Sequence, residues 1–306
     1  MPPVGSLARG RPNPRCLAPL PSSGKRAEGG KRGGQIMARA VGCAAMAQRP
    51  LILLSNDDGF RAPGLLQMRQ ALAEVADVVV CAPHSEQSAS SHSISLSVPL
   101  RLREHEPGLF SVDGTPADSV YVALCSHGRV LPRRPDVVVS GINHGLNLAG
   151  DVYYSGTVAA AREAALRGLR GIALSAGPGV EMAAAAATGV GIVRAFIGEP
   201  LPKAGRGVLL NVNFPPGERW AVRATRLGLR SYEDEAEFRV DPRGGEYLWL
   251  GGSRATHGEA AGSDTEAYDE GVVGVTPLSL EMWDSAQQLL VERIAAAAAG
   301  VLPLRA

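Results

Sequence analysis

The run Leu51-Ile52-Leu53-Leu54 passes directly into Ser55-Asn56-Asp57-Asp58-Gly59, and this junction constrains the fold more than any other feature of the chain. A short continuous apolar run, ended by a cluster of turn-forming residues, reads as a strand delivered into a polar turn. A helical stretch follows: with Pro63 near its start, Leu65, Leu66, Met68, Leu72 and Val75 lie close to one face. Val78-Val79-Val80-Cys81-Ala82 is the next strand, halted by Pro83. Strand, helix and strand within about 30 residues make a βαβ unit, whose strands are parallel because the crossover permits little else. Further strands read at 136–140, 171–175 and 208–213, and helices at about 117–127, 157–168, 181–198 and 279–299. The alternation predicts an α/β fold: an open, mostly parallel sheet covered by helices on both faces.

Two regions fall outside that rhythm. Residues 1–45 are rich in Gly, Pro and Arg, with eight basic residues against the single acid Glu28, and show neither helical nor strand periodicity. They read as a disordered extension, or as an upstream start chosen in error with Met37 or Met46 as the true one, so the body is 46–306 and opens at Pro50. Residues 226–276 carry Tyr232, Phe238, Tyr247 and Trp249 in a chain with only 5% aromatic content, among acids and the Gly pairs at 244–245 and 251–252. This texture reads as an extended hairpin or arm, packed on another subunit or on its own domain.

Charge and cysteine usage exclude some partners. Beyond residue 45 the chain holds 23 basic and 29 acidic residues, net −6, which argues against binding a nucleic-acid duplex through its phosphates. No apolar run approaches the roughly 20 residues that span a bilayer, so no membrane partner is expected. Cys16 and Cys43 lie in the extension, and Cys81 and Cys125 stand singly in apolar runs, as expected of thiols in a reducing cytoplasm.

In an open parallel sheet, ligands bind beyond the carboxyl ends of the strands. The first strand delivers Asn56, Asp57, Asp58 and Gly59 there; the second delivers His84 to Ser88; the strand at 136–140 delivers Ser140 to His144. Adjacent carboxylates at a sheet edge repel unless a cation offsets them. A hard divalent ion, Mg²⁺ or Mn²⁺, suits an all-oxygen set of Asp57, Asp58, Ser88 and Asn143. A turn in which one Asp simply caps the next helix is the plainer alternative. Ser155-Gly156-Thr157 opens a helix, where unpaired N–H groups and the dipole suit a phosphate or plain capping. Thr115, before another helix, is a cap or a substrate contact. His92 and His144 lie near these turns as candidates for proton transfer or for structural hydrogen bonds.

Laid out in order, these segments resemble the SurE family of metal-dependent nucleotidases. The match is carried by Ser55-Asn56-Asp57-Asp58-Gly59, Ala82-Pro83 with Ser88, His92-Ser93-Ile94-Ser95, Gly114-Thr115-Pro116-Ala117-Asp118, Ser140-Gly141-Ile142-Asn143-His144-Gly145, Asn147 and Tyr154-Ser155-Gly156-Thr157-Val158. Leu210-Asn211-Val212-Asn213 and Val275-Thr276-Pro277-Leu278 resemble later landmarks, so the likeness spans about 50–285. Two departures stand out: Ala89-Ser90-Ser91, where many members carry a glycine, and Ala149, in a stretch often glycine.

The resemblance implies a Rossmann-like core, with the arm exchanged between subunits of a homodimer or homotetramer. It implies hydrolysis of nucleoside 5′-monophosphates, with 3′-nucleotides and short polyphosphate as further substrates. It places the metal ligands on Asp57, Asp58, Ser88 and Asn143. The expected site is then Asp57, Asp58 and Asn143 for catalysis, with Ser155, Gly156, Thr157 and Thr115 toward the phosphate. A non-catalytic nucleotide sensor is the alternative. An aspartyl-phosphate phosphatase is disfavoured because Asp57 and Asp58 are adjacent rather than one residue apart, and no G-x-G-x-x-G follows the first strand to suggest an oxidoreductase.

Overall fold

Successive side chains on a strand point to opposite faces, so Leu51 and Leu53 pack on one side of the sheet and Ile52 and Leu54 on the other. The computed structural model describes residues 49–202, 205–233, 236–250 and 255–299. The chain forms β1 (Leu51–Ser55), α1 (Pro63–Ala73), β2 (Asp77–Pro83), β3 (Leu102–Glu106), β4 (Leu109–Val112), α2 (Pro116–Cys125), β5 (Val137–His144), α3 (Gly156–Leu166), β6 (Arg170–Ala176), α4 (Met182–Gly198) and β7 (Val208–Phe214). It continues with β8 (Val222–Ala224), β9 (Leu229–Tyr232), β10 (Ala236–Val240), β11 (Glu246–Leu250), β12 (Ala255–Gly258), α5 (Asp264–Asp269), β13 (Val273–Leu278) and α6 (Gln288–Ala299). It divides into two units, Met1–Arg49 and Pro50–Ala306. The extension expected over 1–45 and the Gly251-Gly252 pair lie outside the described residues.

The main sheet has nine strands in the order β3-β4-β2-β1-β5-β6-β7-β13-β8. From β4 through β7 every neighbouring pair is parallel, whereas β3 and β13 run antiparallel to β4 and β7. Leu65, Met68 and Leu72 of α1, with Ala185, Ala186 and Val193 of α4, cover Ile52, Leu54, Val139 and Leu174 on one face. Val120 and Ala123 of α2, with Ala160 and Ala164 of α3, cover Leu51, Leu53 and Val138 on the other. The expected α/β fold is therefore what forms. The chain leaves β1 toward β2 and later returns to β5 on the opposite side of β1, so the order reverses there and opens a crevice at the carboxyl ends of these two strands.

Several expectations need correction. The strand expected at 136–140 runs on to His144 through a register shift between Ser140 and Asn143. Gly141 permits this: its φ is +125°, and a Cβ there would lie 2.3 Å from the Leu174 carbonyl oxygen. The helix expected over 279–299 begins only at Gln288, after a 3₁₀ turn at Ser285–Gln287 whose first N–H groups are capped by Asp284. Within 226–276, the arm proper is an antiparallel ribbon of β9 with β12 and β10 with β11, while α5 and β13 return to the body. Its Phe238, Val240, Trp249 and Leu250 are exposed, as are Leu289 and Ile294 on α6.

Candidate active site

Asp57 stands two residues beyond the end of β1 and is only 5% exposed. Its carboxylate receives the hydroxyl of Thr157, 100 residues further along, and the Thr157 backbone N–H. The first turn of α3 is thus aimed at Asp57, where the positive end of the helix dipole favours a negative group. Gly156 makes the approach possible, because a Cβ there would sit 2.8 Å from the Cβ of Asp57. Burial pushes the Asp57 carboxyl up to about 6, opposed by the Thr157 hydrogen bond and reinforced by the charge of Asp58. Repulsion between the two aspartates is therefore real but secondary to desolvation.

Asp58 is half-buried and accepts the His144 backbone N–H at 3.4 Å. Burial raises its carboxyl, the His144 hydrogen bond opposes the rise, and the charge of Glu86 adds to it. Neither aspartate forms an ion pair with a Lys, Arg or His side chain among the described residues. Asn143 is next to last in β5 across the crevice, with its amide nitrogen donating to the Gly145 carbonyl at 3.0 Å. Ser88 lies in an exposed loop and donates to Glu86 at 2.8 Å, one residue beyond Gln87, whose N–H binds the Asp57 carbonyl at 2.8 Å. The four residues proposed as ligands thus come from three loops that meet at the crevice. Among the described residues no group of three or more His, Cys, Asp and Glu lies together as a metal cluster.

The helix-start residues already have work. Ser155 caps α3, its Oγ accepting the Val158 N–H at 3.1 Å. Thr115 caps α2 in a reciprocal box with Asp118, and its hydroxyl donates to the Ser93 carbonyl at 2.7 Å. The hydroxyl of Thr157 serves Asp57. His92 pairs with Glu163 rather than with the aspartates, while His144 meets Asp58 through its backbone.

Two participants were not singled out from sequence. Glu86 adds a third carboxylate near Asp58, and its position within the 84–88 turn was the available signal. Glu163 is a buried acid in an alanine-rich helix, with Arg167 one turn on as the local hint. Both departures noted above fall on strained backbone: Ala89, Ser91 and Ala149 have φ of 56°, 52° and 48°. Left-handed backbone costs a residue with a Cβ about 1–2 kcal/mol. Ala89→Gly, at an exposed position, is expected to stabilise the protein by about 1 kcal/mol in urea denaturation.

Comparison with known proteins agrees with this architecture. The family model described as "Survival protein SurE" matches residues 52–234. A protein of Sorangium cellulosum named "5'-nucleotidase SurE" is 59% identical over 250 residues, covering 81% of this chain and 96% of the relative. One of Myxococcus xanthus with the same name is 45% identical over 78% of this chain and 91% of its own length. The crystal structure of a SurE protein from Aquifex aeolicus superposes with a TM-score of 0.69 at 34% identity, over 80% of this chain and all of that one. The ordered loops around Asp57, Asp58 and Asn143, the reversal of strand order beside β1 and these likenesses lead to one statement: the chain belongs to the SurE family.

Proposed function

We propose that the protein is a divalent-metal-dependent 5′-nucleotidase, hydrolysing nucleoside 5′-monophosphates to nucleoside and phosphate. 3′-Nucleotides and short polyphosphate are its further substrates. The observation that carries this reading is the carboxylate pair of Asp57 and Asp58 in the crevice beside β1, with no ion-paired Lys, Arg or His side chain among the described residues. Two neighbouring acids, one of them buried, are unfavourable as anions without a cation, and an oxygen-only donor set suits Mg²⁺ or Mn²⁺. The nucleotidase names of the Sorangium and Myxococcus relatives support the substrate class.

Asp57, Asp58, Ser88 and Asn143 would hold the ion, whose chemistry when bound is to neutralise charge on phosphoryl oxygens and activate water. Thr157 fixes the Asp57 carboxylate, and the Gly145 carbonyl fixes the Asn143 amide, so both oxygens are oriented before substrate arrives. The start of α3, with Ser155 and Gly156, contributes positive potential toward the phosphate. The exposed apolar ribbon and α6 support pairing into a homodimer or homotetramer. Cys81, a buried thiol that donates to the Ser119 carbonyl, supports a cytoplasmic setting, and among the described residues no helix is long and apolar enough to cross a membrane.

The test is phosphate release from a panel of 5′- and 3′-nucleotides and tripolyphosphate, with Mg²⁺, Mn²⁺ and Zn²⁺ in turn. Release from AMP that a chelator abolishes is the expected result. Nucleotide binding without release would overturn the reading in favour of a sensor.

A further inference from the structure

The geometry points to His92 as a positioning residue: paired with Glu163, it latches the 84–98 loop, and Ser88 with it, against α3. This inference rests on the metal-dependent reading above, because Ser88 matters there as a ligand.

Glu163 lies on a helix whose buried residues beyond its first turn are otherwise Ala159, Ala160, Ala161, Ala164 and Ala165. Its side chain is 7% exposed, and a carboxylate so placed requires partners for both oxygens. Oε1 receives Arg167 Nε at 2.6 Å, one turn along the same helix. Arg167 is itself set against α2, 4.3 Å from the centre of the Tyr121 ring. The second oxygen, Oε2, instead meets His92 Nε2 at 2.9 Å, from a loop 71 residues away. Burial alone would raise the Glu163 carboxyl; the hydrogen bonds from His92 and Arg167 outweigh it and hold the group below its ordinary range.

The loop needs such an anchor. None of residues 84–98 is buried, so no apolar core holds it in place. Its other ties include His84 N–H to the Val112 carbonyl and its ring to Ser111 and Phe60, Gln87 N–H to the Asp57 carbonyl, Ser91 to the Tyr153 and Tyr154 carbonyls, Thr115 to the Ser93 carbonyl, and Ser95 N–H to Asp118. Ala89 and Ser91, on either side of Ser90, hold left-handed backbone that relaxes if restraint is lost. His92 follows these strained positions and stands four residues from Ser88. It is the one loop side chain that binds a buried charge among the described residues.

The experiment compares wild type, His92→Ala and His92→Gln as full chains, reading hydrogen–deuterium exchange of amides 87–95 without metal, and the Mn²⁺ dissociation constant by calorimetry. His92→Ala is expected to speed exchange across the loop and weaken Mn²⁺ about tenfold, as loss of a ligand's supporting partner does. His92→Gln, whose amide can donate to the same carboxylate oxygen, is expected to restore both. Unchanged exchange in His92→Ala would overturn the latch, as would faster exchange that Gln fails to slow. Failure of wild type to bind Mn²⁺ would overturn the metal reading instead, leaving the exchange comparison to decide the latch.

Discussion

Asp57→Asn is expected to lower phosphate release from nucleotides by about 10³-fold while making the metal-free protein more stable at pH 8. The activity loss follows from removing a preorganised charge from the reacting centre, which typically costs 10²–10³-fold or more. The gain in stability follows from burial. The carboxyl of Asp57 is raised from 3.8 to about 6, so between those values the folded chain keeps a proton that the unfolded chain releases. Stability from this group is fully present below about pH 4, falls as pH rises toward 6, and stays low above. At 1.36 kcal/mol per pH unit of displacement, the penalty at pH 8 is about 3 kcal/mol. An asparagine can keep the Thr157 hydrogen bond without that ionisation. Urea denaturation at pH 4 and pH 8 beside a phosphate-release assay checks both halves, and near-normal activity in the variant would sink the site assignment.

Saturating Mg²⁺ or Mn²⁺ is expected to raise the melting temperature strongly at pH 8 and hardly at pH 4.5. An ion competes with the proton for Asp57, and below about pH 6 the proton is already held by the folded state. At a hundredfold excess over the dissociation constant, binding adds about 3 kcal/mol. The Asp57 contribution thus loses its dependence on pH: without metal it falls as pH rises, and bound metal offsets most of that loss. Asp57→Asn should abolish the metal-induced rise at both pH values. Melting curves with each metal and with chelator make the measurement, and identical curves at pH 8 would remove the cation from the account.

The parallel centre of the sheet was legible because its strands are short apolar runs ended by polar turns, as at Leu51–Gly59 and Val78–Pro83. The β3–β4 hairpin was not, because Leu-Arg-Glu-His-Glu of β3 lies at the sheet edge with four of its five side chains exposed. An edge strand has no need of the apolar pattern that betrays a buried one. The late start of α6 was hidden by helix-compatible residues at 279–284, although Asp284 is a cap signal that could have been weighted more. That the turn after β1 and the end of β5 share one sheet edge was readable from the order of the strands. The grip of Thr157 on Asp57 was not, since residues 100 positions apart meet only when α3 packs on β5 and β6. Ser155 and Thr115 illustrate the converse: a residue good at starting a helix looks the same whether or not it also meets a ligand.

The ribbon built from β9 to β12 leaves and rejoins the body at neighbouring points, with Gly258 opposite Leu229. It is therefore an excursion that closes on itself, inserted between β8 and α5. Such a segment can lengthen, shorten or be replaced by a tight link during evolution while the strands around Asp57 keep their order. The ribbon and the crevice can accordingly diversify along separate stretches of one gene.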